Sequence, residues 1–252
     1  MKPENPPGAS VRIEIKQAAY RYGWRIDRGE RDGWFFRESA TAPGTLALAG
    51  ASAQGPWLIA VDNPGMVDEL RLEPLSVSGP GIARFAVHNL TELHAMLDRV
   101  YDLAMALPQH PLEIFEAETS DWPRSTEAEQ LVLQRRGQAI FRQSLVRYWN
   151  RCCPITGITD PELLRASHMK PWAACKSNPE QRLDPYNGLL LSALWDSAFD
   201  AGLVSFDDRG FVLRASALSL VGSEQLGAPE PVPLTDRHRF YLAWHRENVF
   251  KG

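Results

Sequence analysis

At 252 residues and 28.2 kDa the chain is long enough for two domains of ~100–200 residues each, and eight Trp, ten Phe and six Tyr in a 44% hydrophobic composition exclude a largely disordered chain. No apolar run approaches the ~20 residues of a membrane span, and the start MKPENPPGAS carries no apolar signal region, so a cytoplasmic setting without membrane contact is expected. The net charge of -4 argues against a polyanionic partner only if it is spread evenly, and it is not.

Residues 1–10, with three Pro and a Gly, read as a flexible leader. Val11-Arg-Ile-Glu-Ile15 alternates with period two and predicts a strand. Trp34–Phe36, Thr45–Leu48 and Trp57–Val61 predict further strands between Gly, Pro, Ser and Asp breaks. Asn89 with Glu92 forms a capping box for a helix over about 90–107, whose stripe is Leu90, Leu93, Leu97, Val100, Tyr101 and Ala104. Pro108 and Pro111 are expected to end it. Residues 1–118 therefore read as an N-terminal α+β domain, followed by a linker over 119–126. Thr126 with Glu129 opens a second helix, with Leu133, Gly137, Ile140, Phe141, Ser144, Leu145 and Tyr148 at 3.6-residue spacing to about Trp149.

That helix begins the basic block. Residues 130–182 hold nine Lys/Arg (Arg135, Arg136, Arg142, Arg147, Arg151, Arg165, Lys170, Lys176, Arg182) against three acids (Asp160, Glu162, Glu180), a balance of +6. Such a block within an acidic chain fits a local polyanion site. Charge alone fits a solvated helix face equally well.

From Cys153 the sequence becomes specific: Cys153-Pro-Ile-Thr-Gly157, Ala166-Ser-His-Met-Lys-Pro-Trp172, Arg182-Leu-Asp-Pro-Tyr-Asn-Gly-Leu-Leu-Leu191, and Leu194-Trp-Asp-Ser-Ala-Phe-Asp-Ala-Gly202. Four pieces in this order resemble the HNH endonuclease family of ββα-metal nucleases, over roughly residues 127–214. The resemblance implies an α+β chain whose C-terminal domain, 127–252 with its motif core at 153–214, is a hairpin followed by a helix. The implied activity is divalent-metal-dependent hydrolysis of phosphodiester bonds in double-stranded DNA, with restriction or defence as one setting and a homodimer as one arrangement. The N-terminal domain would then target the enzyme, and Trp24, Trp34, Phe35, Phe36 and Trp57 could line a recognition pocket or equally form its core.

His168 occupies the family's general-base position, and imidazole, with an ordinary pKa of ~6.5, is largely neutral at pH 7. Asn187 is the middle N, an amide that can clamp the loop carrying the base; Asn187-Gly188 also reads as a plain turn. Asp196 and Asp200 lie four apart, so on a helix both carboxylates share one face. Like charges there destabilise by ~0.2–0.5 kcal/mol, and a cation between them, Mg²⁺ or Mn²⁺ for oxygen donors, would offset the cost. A solvated face is the plainer alternative. Lys170, Arg182, Arg135, Arg136, Arg142 and Arg147 are the candidate phosphate contacts. Two departures stand out: Asp196 replaces the family's last His, and Ser167 stands where an acidic ligand often precedes the base. They keep open a second reading, a catalytically weakened scaffold that binds DNA. Leu203–Phe206 and Phe211–Arg214 predict a hairpin around Asp207-Asp-Arg-Gly210, and Phe240–Phe250 a final amphipathic helix in which His238 and His245 are packing or surface residues. Cys152, Cys153 and Cys175 allow no disulfide framework and read as buried small residues.

Overall fold

The computed structural model describes residues 2–123 and 125–252; Met1 of the expected leader and Arg124 of the expected linker lie outside the described residues. The chain divides into two compact units, residues 1–105 and 106–252. Antiparallel strands and separate helices, 17% and 44% of the chain, give the expected α+β class.

The first unit is a five-stranded antiparallel meander of β1 (Ile26–Arg31), β2 (Trp34–Glu38), β3 (Thr45–Gly50), β4 (Trp57–Val61) and β5 (Ala83–Val87), in that order. The ladder aligns Phe35 with Leu48, Leu48 with Ile59 and Ile59 with Phe85, one apolar row across four strands. Trp34, Ala47, Ala49, Leu58 and Ala60 make the core on the opposite face, with Phe36 and Leu75 packed on it. Trp24, Trp34, Phe35 and Trp57 are buried as core, while Phe36 is half-buried beneath the Arg31 guanidinium, 4.1 Å from its ring.

Two expectations are corrected here. Val11–Ile15 is not a strand but part of α1 (Ala9–Arg21). Five residues alternate with period two, yet Val11, Ile15, Ala18 and Ala19 repeat at helical spacing and are buried, while Ile13 is 53% exposed. The longer window wins because the helical stripe has a sheet to pack on, with Val11 lying against Gly50 of β3. The leader is also tied down: the Glu4 amide donates to the Gly50 carbonyl at 2.8 Å and Pro7 is buried. A short α2 (Pro64–Leu70) and α3 (Leu90–Ala106) complete the unit, and α3 is opened as expected by Asn89 and Glu92, whose amide donates to Asn89 Oδ1 at 2.9 Å.

The helix α3 ends at Ala106, just before Pro108 as expected, and in the second unit the same prolines open α4 (Gln109–Thr119): Pro108 precedes its first turn and Pro111 lies within it. A first-turn proline lacks only an N–H that has no helical partner. Glu118 of α4 pairs with Arg136 of α5 (Glu127–Tyr148), so α4 lies with this unit although its residues were assigned by sequence to the first domain. The Thr126 hydroxyl accepts from the Glu129 amide at 3.2 Å, and the Glu129 carboxylate accepts from the Thr126 amide at 2.8 Å, the expected capping box. Gly137, Ile140, Phe141, Ser144, Leu145 and Tyr148 form the buried face.

Beyond α5 come β6 (Leu164–His168), β7 (Gly188–Ser192), α6 (Ala193–Asp200), the hairpin β8 (Val204–Phe206) and β9 (Val212–Arg214), α7 (Leu220–Leu226) and α8 (Asp236–Asn248). His238 and His245 of α8 are packing residues: His245 stacks on Phe199 at 3.8 Å and bonds the Ser205 hydroxyl at 3.0 Å. Among the described residues no helix is long and apolar enough to cross a membrane.

Candidate active site

Strands β6 and β7 pair antiparallel, Ser167 opposite Leu189 and His168 opposite Gly188, and β7 runs directly into α6. Alternation along a strand sends consecutive side chains to opposite faces. Ser167 is buried and donates its hydroxyl hydrogen to Asp196 Oδ1 in the first turn of α6. His168 faces α5 instead, its ring stacked on Phe141 at 3.7 Å and 9°. The candidate base and Asp196 therefore lie on opposite faces of β6.

His168 Nε2 lies 3.0 Å from the Arg182 carbonyl oxygen. A carbonyl only accepts, so Nε2 carries the proton and Nδ1 the lone pair. Burial lowers the imidazole pKa to about 4 against the weaker opposing effect of that hydrogen bond, so the ring is neutral at pH 7. Asn187 is fully buried and does what a loop clamp requires. Its Oδ1 accepts from the Lys170 amide at 2.8 Å, and its Nδ2 donates to the Lys170 and Gln181 carbonyls at 3.0 and 2.9 Å. Both ends of the 169–187 loop are thus fastened through one amide. Asp184 caps the Pro185–Asn187 turn by accepting from the Tyr186 amide at 3.0 Å, and itself receives the Tyr241 hydroxyl of α8 at 2.9 Å.

Two glycines, neither singled out as a site residue by sequence, set these contacts. A Cβ on Gly188 would lie 2.4 Å from Phe141 and 2.7 Å from Leu145; one on Gly137 would lie 2.1 Å from the Trp172 ring. Gly188 has φ −152, so close approach and not turn geometry requires glycine there. A glycine inside the strongly helical run of α5 was the available signal, since it costs about 1 kcal/mol against alanine. Phe141 and the Arg182 carbonyl, the two groups that hold His168, left no signal of that role.

Asp196 is half-buried and Asp200, one turn on, is exposed at the C-terminal end of α6. Partial burial of its carboxylate, and then the Asp196 charge, push the Asp200 pKa up to about 6. A carboxyl raised in the folded state contributes stability below its ordinary 3.8 and loses it as pH rises through about 6. Asp200→Asn is therefore expected to stabilise the metal-free protein modestly at pH 7, with solvent screening limiting the gain, and the difference should vanish near pH 4. Thermal unfolding in chelator at the two pH values checks it; a variant less stable at pH 7 would mean that the carboxylate is held by a favourable partner.

The donor set of Ser167, Asp196 and Asp200 is all oxygen, which suits a hard divalent cation. Among the described residues no group of three or more His, Cys, Asp or Glu side chains gathers in metal-binding geometry, and the Ser167 hydroxyl is engaged with Asp196. The candidate phosphate contacts are differently engaged. Lys170 Nζ donates to Gln181 Oε1 at 2.8 Å, and the Arg182 guanidinium lies 5.0 Å from the Trp172 ring. On α5, Arg135 is exposed, Arg136 pairs with Glu118, Arg142 donates to the Leu164 and Pro161 carbonyls at 2.8 Å each, and Arg147 is half-buried within the unit. Cys153 is buried where its sulfur accepts from the Ser192 amide at 3.3 Å, and burial pushes the Cys152 and Cys175 thiols up, away from reactive thiolates.

A hairpin feeding its second strand into a helix, with a fastened loop between the strands, is a ββα unit. Residues 153–207 match the family model described as HNH endonuclease, so the C-terminal part of the chain carries an HNH domain. The match suggests a nuclease-type hydrolase and implies a nucleic-acid substrate. No curated protein matches the chain.

Proposed function

We propose that the second unit is a divalent-metal-dependent DNA endonuclease in which His168 is the general base and Asn187 holds the loop behind it. The observation that carries this reading is the Ser167–Asp196 hydrogen bond, which joins the strand residue beside the base to the first turn of α6 within the matched family span. Neutral His168, with its lone pair on Nδ1, takes a proton from water. Asp196 and Asp200, with the Ser167 hydroxyl, would hold Mg²⁺ or Mn²⁺. When bound, such a cation neutralises charge on the phosphate and the leaving oxygen. Lys170, Arg182 and the exposed Arg135 are the proposed phosphate contacts, supplying affinity without sequence information. The first unit is the proposed targeting module; its own cavity of about 840 Å³, lined in part by Trp34, Phe36 and Arg31, supports a sensing role.

Cleavage of plasmid DNA with Mg²⁺ or Mn²⁺, and its loss in chelator, is the expected result. DNA binding without cleavage under any divalent ion would favour the weakened-scaffold reading, for which Ser167 in place of an acid is the specific observation. The carboxylates are tested by melting. Wild type should gain stability with Mn²⁺ and a non-cleavable duplex, by ~2.7 kcal/mol at a hundredfold excess over Kd. Asp196→Asn should lose most of that gain while its metal-free stability is unchanged or slightly higher. Equal shifts in both proteins would mean that the cation sits elsewhere.

A further inference from the structure

Helices α4 and α5 and the 172–183 loop line an open cavity of about 760 Å³ that shares only Arg182 with the residues of the proposed hydrolysis. Half-buried Leu112 and Phe115 of α4, Leu133 of α5 and Trp172 make its surface mainly apolar. The outer edge of the Trp172 ring reaches α5 because Gly137 has no side chain there. The charged groups lining the cavity are Lys176, Arg182 and one acid, Glu116.

Arg182 connects this cavity to the base. Its carbonyl fixes His168 Nε2, its Nε donates to the Trp172 carbonyl at 3.2 Å, and its guanidinium lies over the Trp172 ring. A group seated against Trp172 is thus one residue from the group that holds the imidazole. The cavity falls in the size range of small-molecule sites. Its occupant must combine an apolar planar body with negative charge beside it. A purely apolar peptide side chain or acyl chain would give Lys176, Arg182 and the Gln134 amide nothing to bind. A nucleotide within a strand has all three features: a π face for Trp172, a polar edge for Gln134, and phosphates for the cations.

We propose that this cavity takes one unstacked base of the nucleic-acid substrate, with Lys176 and Arg182 on the flanking phosphates, and so directs cleavage to unpaired or distorted sites. The inference rests on the nuclease reading and names its substrate class more narrowly. Extruding a base costs least where it is mismatched or already single-stranded, so such sites should bind best.

The test uses the full chain in chelator, with fluorescence anisotropy on a duplex carrying a short unpaired tract, the same duplex fully paired, and the tract made abasic. Wild type should bind the unpaired tract at least about fivefold more tightly than either control, the lower end expected for one base stacked on an aromatic side chain. A 2-aminopurine in the tract should be quenched on binding. Leu133→Trp, which fills the cavity, should lose the preference and the quenching. Lys176→Ala, at an exposed position that leaves folding alone, should flatten the single-strand salt dependence by about 0.7. Equal wild-type affinity for all three substrates, or a preference that survives Leu133→Trp in a protein with an unchanged melting temperature, would overturn the proposal. Hydrolysis of bis(p-nitrophenyl) phosphate by wild type with Mn²⁺ separates the two ideas. Hydrolysis with no preference for the tract sinks only the base pocket, whereas neither hydrolysis nor nucleic-acid binding sinks the nuclease reading and the pocket with it.

Discussion

Replacing His168 by Ala or Gln should lower DNA cleavage by about 10²–10⁴-fold, the usual worth of a general base, and leave DNA affinity nearly unchanged. The reason is local: the half-buried imidazole is stacked on Phe141 with Nε2 bound to the Arg182 carbonyl, so its remaining function is the lone pair on Nδ1. The Gln variant can still donate to that carbonyl and separates lost chemistry from a loosened loop. The pH profile carries a second signature. With the imidazole lowered to about 4, cleavage at saturating Mn²⁺ should persist well below the ordinary imidazole value and fall only as pH approaches 4. The same burial makes stability fall as pH drops from 6.5 toward 4, because the unfolded chain binds the proton that the folded ring refuses. Near-wild-type cleavage by the purified Ala variant would remove His168 from the mechanism.

Asn187→Ala should produce the largest loss of stability of any single change at the site. It leaves the Lys170 amide and the Lys170 and Gln181 carbonyls without the partner that fastens the loop. Each orphaned buried group costs about 1–3 kcal/mol, with water recovering part, so a total of ~2–4 kcal/mol is expected. For a unit of this size that is a fall of roughly 5–15 °C in Tm. Cleavage should fall in parallel even well below the new Tm, since Lys170 and Arg182 lie on the released loop. A melting temperature within 2 °C of wild type, by calorimetry of the full chain, would mean that Asn187 is only a turn residue.

Much of the second unit was legible because its signals are local. The Thr126–Glu129 capping box, the Leu133-to-Tyr148 stripe and the Asp207–Gly210 turn each involve residues of one short stretch of chain, and all are present, with Leu133 half-buried at the edge of its stripe. The first helix was misread for the complementary reason: Val11–Ile15 satisfies two periods at once, and only its packing partner in β3 decides between them. Two strands, β1 and β5, escaped altogether. Asp27, Arg28, Gly29 and Glu30 in β1 carry no apolar alternation, and a register shift between Asp27 and Glu30 interrupts the pairing of this edge strand. At the candidate site, the sequence names residues but not the side each one faces. Ser167 and His168 are adjacent in sequence, and only strand alternation, once β6 is placed between α5 and α6, reveals that they face opposite ways. The charge of Arg142 is visible in the sequence, whereas the Leu164 and Pro161 carbonyls to which it donates are not.

Those carbonyls bear on where the HNH domain begins as a physical object. Beneath α5, the β6–β7 pair is a two-stranded ribbon, which is marginal by itself in water. Arg142 and Trp149 supply hydrogen bonds to its backbone at Leu164, Pro161 and Gly188, Phe141 and Leu145 cover it, and α8 packs His245 on Phe199 of α6. The recognisable motif at 153–207 is therefore not an autonomous folding unit. Cut out at those boundaries, it would expose the apolar side of the ribbon and strand several carbonyls. The smallest piece expected to fold alone therefore carries α5 and α8 with it.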